Sequence, residues 1–117
     1  MKIITEAIKI ALLRDMMLNM FGNLVKAVID VEKEIMAIDG ELHADEEALL
    51  LVKGSKQENL WGINIYPELP KEERVEFDSM INLRPSQENR TRSVDDPEVR
   101  NKIIEIVNKL IEDENSA

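Results

Sequence analysis

Three of the chain's six arginines, Arg84, Arg90 and Arg92, fall within nine residues of the segment LRPSQENRTR. Guanidinium groups are rigid forks of N–H donors that fit carboxylate and phosphate oxygens two at a time. Three arginines against the single Glu88 give residues 84–92 a net +2, in a chain whose net charge is −9. A helix starting just beyond would add backbone N–H groups and the positive end of its dipole. That chemistry is recognition of an anion, with Arg84, Arg90 and Arg92 supplying charge and Asn89 fixing orientation. The opposing reading is internal. Asp78, Asp95, Asp96 and Glu98 lie close in sequence and could tie the guanidinium groups down, which is the commoner use of surface arginine in an acidic protein. Asp95 and Asp96 would also compete for the N–H groups of the helix.

The one histidine, His43, stands in HADEE. His43 and Asp45 with a remote carboxylate could hold a divalent metal for hydrolysis. A lone histidine lacks the paired-ligand spacing of a specific metal motif, and a helix start accounts for Asp45, Glu46 and Glu47 as cap and first-turn acids. Trp61 and Tyr66 in LWGINIYP could stack on a base or anchor a sheet at its rim. Between them, Asn64 points away from the face of Ile63 and Ile65 on an alternating strand. If that face is covered, Asn64 needs buried hydrogen-bond partners, which makes it a site candidate beside the arginines. Nucleophile elbows, phosphate-binding glycine loops, dinucleotide fingerprints and paired-histidine motifs are missing. An enzyme therefore has little positive support, and no cofactor is expected.

The elements that must carry these residues follow from periodicity. Ile8, Leu12, Leu13, Met16, Met17, Met20 and Phe21 keep helical spacing over about 6–21, and Gly22 marks the stop. The β-branched run LVKAVIDVEKEIMAIDG reads as strands at 24–31 and 34–39. HADEEALLLVKG carries helix punctuation over 45–53, with Asp45 as cap, although five consecutive apolar residues leave a buried strand open. Ser55 to Glu58 matches a capping box, suggesting a helical turn that ends at Gly62. INIYP begins a strand, and RVEFDSMINLRP alternates as another through Ile81. Asp95 or Asp96 caps a last helix with Pro97 in its first turn and a broad apolar stripe from Val99 to Ile111. Residues 2–4 could add a short strand, and 113–117 read as a frayed tail. The sum is one α+β domain over 1–117: a mostly antiparallel four-stranded sheet, helices packed on one face, and a long C-terminal helix.

Composition narrows the function classes. The 117 residues are 44% hydrophobic but only 3% aromatic, so the core must be built from Ile, Leu, Val and Met. The chain has no cysteine, which excludes disulfides and thiolate chemistry and fits a reducing cytoplasm. Lys9, Arg14 and Asp15 interrupt the N-terminal apolar stretch, so neither a membrane span nor a secretory signal is expected. The acidic balance opposes general duplex nucleic-acid binding.

Two stretches, FGNLVKAVIDVEKEIMAIDGELHADEEALLLVKGSKQENLWGINIYPE and FDSMINLRPSQENRTRSVDDPEVRNKI, carry a resemblance. Over roughly residues 20–107 the chain resembles a family of small prokaryotic proteins catalogued as a domain of unknown function. The first helix departs from that pattern, since AIKIALLRD lacks a capped start. The label implies no activity. The expectation drawn from the residues is a non-enzymatic cytoplasmic protein that recognises a partner protein or a small anionic ligand through the 84–92 loop. The alternatives are the His43/Asp45 hydrolase and a homodimeric assembly module built on the sheet edge or the Met-rich helix.

Overall fold

The sheet is built around β3 (Val25–Asp30), whose β-branched residues are buried on both faces. A tight turn joins it to β4 (Ile35–Ile38). Asp30 organises that turn: its Oδ1 accepts from the N–H groups of Glu32 and Lys33, both at 2.9 Å, while Glu34 takes a left-handed φ of 56°. On the far side of β4 lies β1 (Lys2–Ile4), and on the far side of β3 lies β5 (Leu60–Ile65), followed by the two-residue β6 (Val75–Glu76). All neighbours pair antiparallel, in the order β1-β4-β3-β5-β6. The structure, a computed structural model, describes residues 1–114.

Alternation then divides the side chains. Ala27, Ile29, Met36, Ile38, Trp61, Ile63 and Ile65 face one way and pack on α1 (Ile10–Asn19) and α3 (Pro97–Leu110). Ile103, Ile106, Val107 and Leu110 are the buried stripe of α3, each burial stabilising by about 1.5–3 kcal/mol. Val28, Ala37 and Leu60 face the other way and meet Leu50 of α2 (His43–Val52). The expected architecture therefore needs two corrections. The sheet has five strands, because residues 2–4 pair fully with β4, and the helices cover both faces. The second layer escapes a reading from pattern because α2 supplies it through the single fully buried leucine Leu50, with Ile81 of the Met80–Asn82 turn beside it.

Local punctuation is mixed. Asp96 caps α3 by accepting from the Glu98 N–H at 2.9 Å, with Pro97 at the first helical position. Gly22, at φ 87°, closes α1 by donating to the Met17 carbonyl at 2.7 Å, but α1 starts late and uncapped, after Ile8–Lys9 have formed β2. That strand pairs in parallel with β7 (Ile111–Glu112), so the segment before α1 and the segment after α3 are tied side by side. Asp45 is not the cap of α2, which begins two residues earlier with no side-chain cap. Ser55 makes no capping box either. Its hydroxyl donates to the Asp30 carboxylate at 2.6 Å, a stronger charge-assisted bond. The turn there ends at Asn59, and Gly62 lies inside β5.

RVEFDSMINLRP is a strand only at its first two paired residues, after which the chain turns at Met80–Asn82 and again at Pro85–Gln87. Of the tail expected to fray, 115–117 lie outside the described residues, whereas Asp113 meets Arg74 at 2.8 Å and Glu114 meets Arg14. Among the described residues no helix is long and apolar enough to cross a membrane.

Candidate functional site

The three arginines do not converge. Arg84 is turned inward: its two terminal nitrogens donate to the carbonyls of Gln57 and Leu60, and its guanidinium lies 4.1 Å from the centre of the Trp61 ring. Burial works against its positive charge, and nearby Glu47 partly supports it. Asn89, expected to orient a ligand, is buried as well. Its amide nitrogen donates to the carbonyls of Asn82 (2.7 Å), Ser93 (2.7 Å) and Thr91 (3.2 Å), and its Oδ1 accepts from the Asp95 N–H at 2.8 Å. The physical reason is loop closure. Arg84 and Asn89 exchange backbone hydrogen bonds, Pro85 stiffens the turn between them, and Glu88 at φ 60° completes it, so both flanking side chains point at the sheet.

Arg90 and Arg92 remain on the outside. The Arg90 backbone N–H is held by Asp95, and its guanidinium has no partner among the described residues. Arg92 Nε donates to Asp78 Oδ1 at 2.7 Å, so the tether to Asp78 that the sequence allowed is real for this one arginine. Its terminal nitrogens are left over, and its backbone is pinned: the Arg92 carbonyl accepts from the Ser79 N–H at 3.0 Å and the Asn82 amide at 2.9 Å.

Arg92 stands at the edge of a recess of about 230 Å³ on the α2 face of the sheet, shared with Lys26, His43, Asn64 and Asp78. Leu42, Met80 and Ile81 supply apolar walls. Lys26 and Asn64 are register partners on β3 and β5, so their side chains stand side by side. Of the expected residues, the fold thus brings together Asn64, Arg92 and His43, and leaves out Arg84, Asn89, Arg90 and Asp45.

Two of the recess groups have their chemistry set by the backbone. His43 is buried, and its Nε2 lies 2.7 Å from the Ile63 carbonyl. A carbonyl only accepts, so Nε2 carries the proton and Nδ1 is the basic nitrogen of the neutral ring. Burial holds the imidazole below its usual pKa, with Lys26 and Arg92 pushing the same way against the Ile63 bond and Asp78. Asn64 is 7% exposed, and its Nδ2 donates to Glu76 Oε1 at 2.8 Å and the Asp78 carbonyl at 3.5 Å. Tyr66 O–H donates to the same Glu76 oxygen at 2.9 Å, which steadies it. Both partners of Nδ2 are acceptors, so the amide cannot be flipped, and Asn64 Oδ1 is left buried with no donor among the described residues.

His43 and Asp45 do not form the metal cluster entertained above. Two residues apart on a helix they face different ways, and Asp45 is exposed while His43 is buried. Lys26 and Ser79 are the polar recess residues that went unmentioned. Lys26 had one local signal, being the only charge between Leu24 and Ile29 in an otherwise apolar strand.

Fold and recess together describe an α+β protein with a depression of mixed polar and apolar lining between its sheet and second helix. The chain belongs to the family described as a protein of unknown function, DUF5674, whose pattern matches residues 2–110. No curated protein and no solved structure is detectably similar to it.

Proposed function

We propose that this protein binds a small anionic ligand in the recess at Lys26, His43, Asn64 and Arg92, without carrying out chemistry on it. The supporting observation is electrostatic. In a chain of net charge −9, this depression is lined by two cations against one carboxylate. That carboxylate, Asp78, is engaged through Arg92 Nε, leaving the Arg92 terminal nitrogens for an incoming anion, together with the Lys26 ammonium, which lies 5.1 Å from the centre of the Phe21 ring and has no carboxylate partner among the described residues. The volume is below the roughly 300 Å³ at which pockets for drug-sized molecules begin, so the ligand is a small metabolite and not a nucleotide or peptide. Of the 84–92 loop, Arg92 supplies charge, while Arg84 and Asn89 hold the loop in place. The lack of cysteine suits work in a reducing cytoplasm.

Titration with inorganic phosphate and with propionate, followed by NMR, tests this reading. Lys26→Met and Arg92→Ala are each expected to weaken binding by roughly tenfold, the worth of one charge-assisted hydrogen bond. Arg90→Ala, outside the recess, should leave it unchanged. An equal loss in the Arg90 variant, or no anion binding by the native protein, refutes the proposal.

A further inference from the structure

The recess is more than a pair of cations, because its floor presents acceptors. Asn64 Oδ1 is buried without a donor, and its orientation is dictated by Glu76 and the Asp78 carbonyl. The His43 ring has committed its N–H to Ile63, so the nitrogen it has left is a lone pair. Asp78 has one carboxylate oxygen on Arg92 Nε and its second oxygen to spare. A ligand made only of acceptors, such as sulfate or a plain carboxylate, would satisfy Lys26 and Arg92. It would leave Asn64 without a donor, a deficit of about 1–3 kcal/mol for a buried polar group. The ligand that matches every wall must bring donors as well as negative charge. The volume, about 230 Å³, suits a small molecule in which the two lie within a few bonds of each other.

Resting on the reading of the recess as an anion site, we infer that its ligand is a small carboxylate carrying a hydrogen-bond donor on the neighbouring carbon, a 2-hydroxy or 2-amino acid. The carboxylate meets Lys26 and Arg92. The hydroxyl or ammonium donates to Asn64 Oδ1, His43 Nδ1 or the spare oxygen of Asp78, and the carbon chain lies against Leu42 and Met80.

The experiment compares propionate, lactate and alanine, which differ only in the group on the second carbon, with inorganic sulfate as the donor-free anion. Each is titrated into isotopically labelled native protein while the His43 ring and Asn64 amide resonances are followed. Lactate or alanine should bind roughly tenfold more tightly than propionate and move both sets of resonances. A lead for lactate identifies the donor as hydroxyl, and a lead for alanine as ammonium. Asn64→Leu, which leaves only His43 Nδ1 and the spare Asp78 oxygen as acceptors, should narrow that preference; if the variant fails to fold, the ranking in the native protein still decides. Propionate binding as well as both, or sulfate binding alone, overturns the inference and leaves the anion reading standing. Silence from all four overturns both.

Discussion

Asn82 pairs its side-chain amide with both backbone groups of Gly62, accepting from the N–H at 2.8 Å and donating to the carbonyl at 2.9 Å. A side chain here does what a strand would do. β6 covers β5 only at Asn64 and Ile65, and beyond that point the outer edge of β5 would be left unpaired inside the protein. Asn82→Ala should therefore orphan two buried backbone groups and cost about 3 kcal/mol. Urea unfolding followed by the fluorescence of Trp61, the chain's only tryptophan, measures it. A loss below about 0.5 kcal/mol, typical of ordinary surface changes, would mean Gly62 finds other partners.

Arg84 is expected to matter for stability and not for ligand binding. Arg84→Ala removes the cover of the Trp61 ring and the donors to two carbonyls, for a loss of about 2–4 kcal/mol and a red shift of native emission. Arg84→Lys should recover little, since an ammonium cannot fork across both carbonyls. A stable Arg84→Ala protein that no longer binds anions would contradict this assignment.

Glu46 makes stability depend on pH. It is fully buried, its Oε2 accepts from the Gly40 N–H at 2.9 Å, and burial raises its pKa to about 9. Between its ordinary value of 4.5 and about 9, the native state keeps a proton that the unfolded chain has lost. Stability from this group is thus complete below pH 4.5 and declines as pH rises toward 9. Glu46→Gln mimics the protonated acid and should flatten that decline. The gain over the native protein at pH 7 is on the order of 3 kcal/mol, from about 1.4 kcal/mol per pH unit. Parallel pH profiles for the two proteins in denaturant unfolding would rule out a retained proton.

Gly62 is required by close approach and not by a left-handed backbone. A Cβ there would lie 2.6 Å from both Cβ and Oγ of Ser79. Gly62→Ala should cost about 1–3 kcal/mol through overpacking. In a double-mutant cycle, Ser79→Gly should relieve at least about 1 kcal/mol of it. Strict additivity of the two losses would place the strain elsewhere.

How far these contacts could be read from the chain depends on their range. Asp96 and Pro97 announce α3 because a cap and its helix are neighbours in sequence. The strands at 25–30 and 35–38 are legible for a similar reason: β-branched residues crowd a helix and suit a pleated surface. The misplaced features involve partners far along the chain. Ser55 looks like a capping residue until Asp30 is brought to it, and Val75 to Ile81 alternates like a strand although its ladder with β5 stops at Glu76, beyond which the Asn82 side chain takes the edge at Gly62.

The candidate site divides the same way. Residue types along the chain establish that arginines cluster near 84–92, that Asn64 stands out on its strand, and that His43 stands close to helix punctuation. Which of them share a recess was decided by packing alone. A guanidinium is as well satisfied by buried carbonyls and an indole face as by a bound anion, and only the approach of Gln57, Leu60 and Trp61 selects the first for Arg84. Sheet register sets Lys26 beside Asn64, and α2 lays His43 against Ile63. Side-chain chemistry is local, whereas its availability depends on which backbone groups the fold has left without partners.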